Sequence, residues 1–183
     1  MSDKRSQLTK TALDTVQRNG LQALSFRKLA ESVGIKSSSV HYYFPEKSDL
    51  ASVLIEQYSV QFLESLADIS QQRWVLRKKL IAFIALFERV AKNEQLCLCG
   101  MMAAEVNHLS DANRLLLNTF FKDTERWLSD LFNVHSSELK TSLPTSQLSR
   151  TMISGLEGAL LIDRVSGNSL QIKAQKELFL SFV

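Results

Sequence analysis

The chain has 183 residues, 45% hydrophobic and 22% charged, which is enough apolar material for a core, or for a small head and a larger body, and too much for a disordered chain. Its net charge of +3 is modest but unevenly placed: residues 1–50 hold eight Lys/Arg against five Asp/Glu, and residues 51–183 hold fourteen of each, so the excess sits where a polyanionic partner would be met. No run of about 20 uncharged apolar residues is present to span a bilayer, and MSDKRSQLTK lacks the apolar stretch of a secretory signal, so the expected location is cytoplasmic, with no membrane partner.

Only two prolines and six glycines interrupt the chain, so long helices are expected. The first should run from about Lys4 to Asn19, with Leu8, Ala12 and Val16 buried and Gly20 as its C-cap. Ser25–Val33 follows, with Phe26, Leu29, Ala30 and Val33 at helical spacing and Ser25 as a side-chain N-cap. Gly34 ends that helix, because glycine takes a left-handed turn at little cost, and Ile35 turns back towards the core. Ser37–Phe44 is a second short helix, with Val40 and Phe44 on its inner face and Ser37, Ser38, His41 and Tyr42 outside. Pro45 closes it, since proline has no amide hydrogen and disfavours helix in the residue before it.

Two short helices joined this way form a helix-turn-helix, whose second helix enters the DNA major groove. Three consecutive small serines let the backbone approach closely, and Lys36 and Lys47 bracket the helix where each would neutralise a phosphate. The elements LSFRKLAESVGI, SSSVHYYF and PEKSDL, between Leu21 and Gln57, resemble the DNA-binding segment of the TetR family of bacterial transcriptional regulators. Val40, Tyr42, Tyr43 and Phe44 stand at or near the family's leucine, second aromatic, histidine and phenylalanine. Lys47 matches its phosphate-touching lysine, whereas His41 stands where the family usually has tyrosine. The resemblance covers roughly the first 55 residues; beyond them only the helical layout agrees. The DNA-binding set is thus expected to be Arg27, Lys36, Ser37, Ser38, Ser39, His41, Tyr42, Tyr43 and Lys47.

The remaining helices are expected near residues 46–69 (Leu50, Leu54, Tyr58, Phe62), 74–93 (Leu80, Phe83, Ile84, Phe87, Val90, Ala91) and 101–107. Others are expected near 111–133 (Leu116, Phe120, Trp127, Leu131), 145–166 (Leu148, Met152, Gly155, Ala159, Ile162) and 170–182 (Leu170, Ala174, Leu178, Phe182), with 134–144 as a loop. Phe83, Phe87, Met101, Glu105, His108, Phe120 and Trp127 are candidates to line a small-molecule pocket, or are plain core. Met152, Gly155, Ala159, Ile162, Leu178 and Phe182 are candidates for a dimer face, with Gly155 and Gly158 allowing close approach, either of a partner or of another helix of the chain. Cys97 and Cys99 read as sensor thiols, soft-metal ligands or small buried apolar groups.

The expected fold class is all-α: a three-helix head (1–47) carrying the helix-turn-helix and a larger helical body (48–183), about nine helices in all, dimerising through the last two. The resemblance implies a sequence-specific transcriptional regulator. It would be a homodimeric repressor on a palindromic double-stranded DNA operator, released by a small-molecule inducer. No catalytic spacing, metal set or cofactor motif is found, so neither enzymatic activity nor a cofactor is expected. The alternative is a small helical ligand-binding protein or enzyme without specific DNA binding.

Overall fold

The computed structural model describes residues 2–183, with side chains from Lys4 onward; Met1, the first residue of the segment read for a secretory signal, lies outside them. Among these residues nine α-helices occur in order: α1 (Ser2–Asn19), α2 (Phe26–Val33), α3 (Ser37–Tyr43), α4 (Lys47–Gln71), α5 (Leu76–Lys92), α6 (Leu98–Ala104), α7 (Asp111–Val134), α8 (Thr145–Ser166) and α9 (Leu170–Leu180). Short 3-10 turns at Val106–His108 and Ser136–Glu138 lie on either side of α7. The all-α expectation of about nine helices holds. No helix among the described residues is long and apolar enough to cross a membrane.

One helix starts earlier than the sequence suggested. Residues 101–107 were expected to be helical, but α6 occupies Leu98–Ala104, burying Leu98, Cys99 and Met102. Residues 96–104 are apolar almost throughout, so periodicity gave no phase by which to place the helix start.

The chain forms two compact units: Met1–Val60 with Leu98–Phe120, and Gln61–Cys97 with Phe121–Val183. In the first, α1 packs on α2 and α6, and α2 packs on α3. Its core takes Leu8, Ala12 and Val16 from α1, Leu29 and Ala30 from α2, Val40 and Phe44 from the α3 region, and Leu50 and Leu54 from α4, all buried. Buried Asn113 of α7 binds α4 twice: its Oδ1 accepts from Ser52 Oγ at 2.6 Å, and its Nδ2 donates to the Ser48 carbonyl at 3.2 Å. Amide and hydroxyl satisfy each other, so this polar group costs little to bury.

In the second unit α5, α8 and α9 pack on one another. The α8–α9 hairpin is fastened by Asp163, only 3% exposed, whose two carboxylate oxygens accept the first amides of α9, Gln171 N–H at 2.8 Å and Ile172 N–H at 2.9 Å. These are the orphan donors of a helix start, here satisfied from the neighbouring helix. Lys176 of α9 also pairs with Glu88 of α5 at 2.8 Å. Glu138 Oε2 caps α5 by accepting the Leu76 N–H at 2.8 Å. Hydrogen bonds from His135 and from that amide hold the Glu138 carboxyl below the usual range.

The stripes expected for the last two helices are covered only in part within the chain. Leu148, Met152 and Ala159 of α8 are buried as expected, but Ile162 is 54% exposed. On α9 the buried residues are Ile172 and Phe179, while Leu170 and Leu178 of the expected stripe are 62% and 45% exposed. α9 carries apolar residues on two faces, and α8 and α5 cover the Ile172–Phe179 face. α7 turns Leu117 and Leu128 fully inward, with Leu116 and Trp127 only half-buried.

Candidate nucleic-acid interface

The turn between α2 and α3 is set by Gly34, with φ 69° and ψ 45° in the left-handed region. Around it Ile35 N–H donates to Ala30 O at 3.0 Å and Gly34 N–H to Glu31 O at 3.3 Å, the double bond of a Schellman motif. Ser25 stands at the N-cap of α2, but its hydroxyl makes no cap hydrogen bond, contrary to expectation. α1 braces the turn: Lys4 Nζ donates to the Val33 carbonyl at 3.1 Å, at the electronegative end of α2. Arg5 lies over the Phe44 ring, 5.4 Å from its centroid. Neither residue was singled out from sequence, because each acts on chain more than 25 residues away.

α3 divides by face. Val40 and Phe44 are buried, while Ser37, Ser38 and His41 are exposed and Tyr42 is 74% exposed. Residues 37, 38, 41 and 42 are spaced one and four apart, so they share one side of the helix. Ser39 and Tyr43 are half-buried, and the Tyr43 ring meets Tyr42 edge-on at 5.4 Å. Phe44 ends the helix in extended geometry with its N–H on the Val40 carbonyl, and Pro45 follows. Exposed Lys36 precedes α3, and half-buried Lys47 opens α4. The start of α4 is fixed by Asp49, whose Oδ2 accepts the Glu46 N–H at 2.9 Å. Arg27 is exposed and lies 3.5 Å from Glu31 on its own helix.

His41 is held at two points. Its Nδ1 lies 3.2 Å from the Pro45 carbonyl oxygen, and its ring stands edge-on to Phe26 with centroids 5.0 Å apart.

The candidate pocket residues fall in two groups. Phe83, Phe87 and Trp127 belong to the second unit and form an aromatic cluster with Phe62: Trp127 stacks on Phe83 at 5.6 Å, and Phe62 stands edge-on to Phe83 at 6.4 Å and to Phe87 at 6.2 Å. Trp127 Nε1 donates to Ser70 Oγ at 2.8 Å. Met101, Glu105, His108 and Phe120 belong to the first unit. There Phe120 faces Tyr58 at 5.9 Å, and His108 is exposed. Glu105 Oε2 accepts the Gln22 N–H at 3.1 Å, just after α1. Gly20, at φ 84°, leaves room for it: a Cβ there would collide with the Glu105 carboxylate.

Of the candidate dimer residues, Met152 and Ala159 are in the core, Gly155 is crossed closely by Gln175 of α9, Phe182 is half-buried, and Ile162 and Leu178 are exposed. Cys97 and Cys99 are both buried and are not joined in a disulfide. Glu157, a half-buried residue of α8 that no motif singles out, hydrogen-bonds the Cys97 thiol. Burial pushes its carboxyl up to about 7, with the Cys97 hydrogen bond pulling the other way.

Comparison with known proteins agrees with this geometry. The family described as "Bacterial regulatory proteins, tetR family" matches residues 8–54, the segment from α1 into α4. The chain is 22% identical over 164 residues to the HTH-type nicotine-responsive transcriptional repressor HdnoR of Paenarthrobacter nicotinovorans, across 87% of this chain and 82% of the relative. It superimposes on a TetR transcriptional regulator from Legionella pneumophila with TM-score 0.85 and 25% identity, across 96% of this chain and 94% of that one. A TetR family regulator from Agrobacterium tumefaciens superimposes with TM-score 0.93 at 22% identity, across 98% and 97% of the two chains. The reading as a helical enzyme or carrier without specific DNA binding is not favoured. The matched helix-turn-helix and the fold shared along almost the whole chain make this chain similar to the DNA-binding transcriptional regulators of the TetR family.

Proposed function

We propose that the protein is a homodimeric, ligand-relieved repressor acting in the cytoplasm on a palindromic operator. Residues 1–47 serve as the DNA-binding segment and 48–183 as the ligand-binding and dimerisation segment. The observation that carries this reading is the division of α3, with Val40 and Phe44 buried and Ser37, Ser38, His41 and Tyr42 turned outward together. Those four residues meet bases or sugars in the major groove, with Ser39 beside them, while Arg27, Lys36, Tyr43 and Lys47 hold phosphates. The dimer face is the outer side of α8 and α9, where Leu161, Ile162, Val165 and Leu178 are 47%, 54%, 90% and 45% exposed. Exposed apolar residues gathered on neighbouring helices support a covered surface. The inducer is a small molecule held in the helical body, and the aromatic cluster of Phe83, Phe87 and Trp127 supports an apolar ligand. Inducer and operator weaken each other's binding by the same factor, as linkage requires.

The test separates positioning from reading. Lys47→Ala should weaken binding to all duplexes alike and reduce the salt slope by about 1, whereas Ser38→Ala should change sequence preference and leave the slope in place. Identical effects from both variants would overturn the assignment.

A further inference from the structure

We infer that His41 is a specificity-determining residue that accepts a hydrogen bond from the exocyclic amino group of an adenine or a cytosine in the major groove. The inference rests on the reading of α3 as the helix that enters the groove.

The argument begins with the tautomer. A carbonyl oxygen only accepts, so the Nδ1 that lies 3.2 Å from the Pro45 oxygen must carry the proton and donate. In the uncharged ring Nε2 is then a bare lone pair. Among the described residues it has no protein partner, and His41 is exposed on the same side of α3 as Ser37, Ser38 and Tyr42. The ring cannot readily turn to exchange its two nitrogens. A flip would break the bond to Pro45, and the contact with Phe26, edge-on at 5.0 Å and 70°, fixes the ring's tilt. The Pro45 carbonyl is held in its peptide plane, because the Glu46 N–H of that plane donates to Asp49 Oδ2 at 2.9 Å, while the proline ring fixes φ and Phe44, buried to 1% exposure, anchors the chain just before it. The acceptor is therefore presented in one orientation.

That acceptor selects its partner by chemistry. A lone pair is repelled by phosphate oxygens, which offer no proton. It is equally unsuited to the N7, O6 and O4 acceptors of guanine, adenine and thymine. The major-groove donors of base pairs are the N6 amino group of adenine and the N4 amino group of cytosine. A tyrosine at this position would carry a rotating hydroxyl that both donates and accepts; the clamped imidazole gives up that versatility.

The experiment uses the full chain at about pH 8, where a free imidazole is uncharged, with the duplex it selects from random DNA. Each adenine and cytosine of one half-site is replaced in turn by the analogue lacking its exocyclic amino group, and each purine by its 7-deaza form. Affinities are measured for the wild type and for His41→Phe, which keeps an aromatic ring against Phe26. His41→Leu serves if the phenylalanine variant does not reach the wild-type helical content. One amino-group deletion should weaken the wild type about five- to tenfold and leave the variant's affinity unchanged. The inference is overturned if every amino deletion affects wild type and variant equally, or if the group the variant no longer senses is an N7 acceptor. Failure to select any duplex would instead remove the DNA-binding reading of α3, and this inference with it.

Discussion

Replacing Asp163 with alanine removes the fastening between α8 and α9, and its cost follows from the two hydrogen bonds lost. Both acceptors are carboxylate oxygens at 2.8 and 2.9 Å from backbone amides, and the residue is 3% exposed. A hydrogen bond to a charged group contributes about 1.5–3 kcal/mol. The Ile172 amide is buried, so its loss falls at the upper end; Gln171 is exposed, and water offsets part of its loss. The sum is about 3–4 kcal/mol, a large share of the 5–15 kcal/mol that holds a typical protein folded. Asp163→Asn keeps one acceptor oxygen and should lose roughly half as much. Urea unfolding followed by circular dichroism at fixed protein concentration measures both variants. A loss below about 1 kcal/mol for Asp163→Ala would mean that water replaces the carboxylate at both amides, refuting the view that Asp163 fastens the hairpin.

Two further outcomes follow from the body. The Glu157 carboxyl titrates near 7 in the fold against 4.5 for an unperturbed glutamate. Between those pH values the unfolded chain ionises first, so stability is full below about 4.5, falls as pH rises, and levels off above about 7. The loss is at most about 3 kcal/mol, because the residue keeps some exposure. Glu157→Gln should flatten this profile and be the more stable protein at pH 8; equal slopes in the two proteins would contradict it. At the proposed dimer face, Leu178→Glu places a charge on a residue 45% exposed in the single chain. Sedimentation should find the variant monomeric at micromolar concentrations where the wild type is dimeric, with helical content unchanged. A variant that stays dimeric would move the interface elsewhere.

Signals local in the chain were legible. The helix-turn-helix is written in Gly34, Pro45 and the Val40–Phe44 spacing, all within a dozen residues, and α1 to α4 begin and end close to where those residues place them. The outer face of α3 follows from the same spacing. The inward face of α9 was not legible, because Leu170, Ala174 and Leu178 make as good a stripe as Ile172 and Phe179, and only the position of α8 and α5 decides which is covered. The same two-sidedness leaves Ile162, in phase with Met152 and Ala159 on α8, exposed. Glu105, Asp163 and Glu157 acquire their roles from partners on other segments, with the Glu105–Gln22 bond spanning 83 residues, and no periodicity reports such pairings. His41 lies between these cases. Its departure from tyrosine was visible, but its orientation depends on the carbonyl of Pro45.

Selection of bound sequences from random duplex DNA by the full chain tests most directly whether α3 is the element that reads DNA. The account predicts an inverted repeat whose half-sites lie about one helical turn or more apart, with Ser38→Ala shifting the consensus inside the half-sites. A pool with no enriched sequence at low salt, or a consensus unchanged by Ser38→Ala, would contradict it.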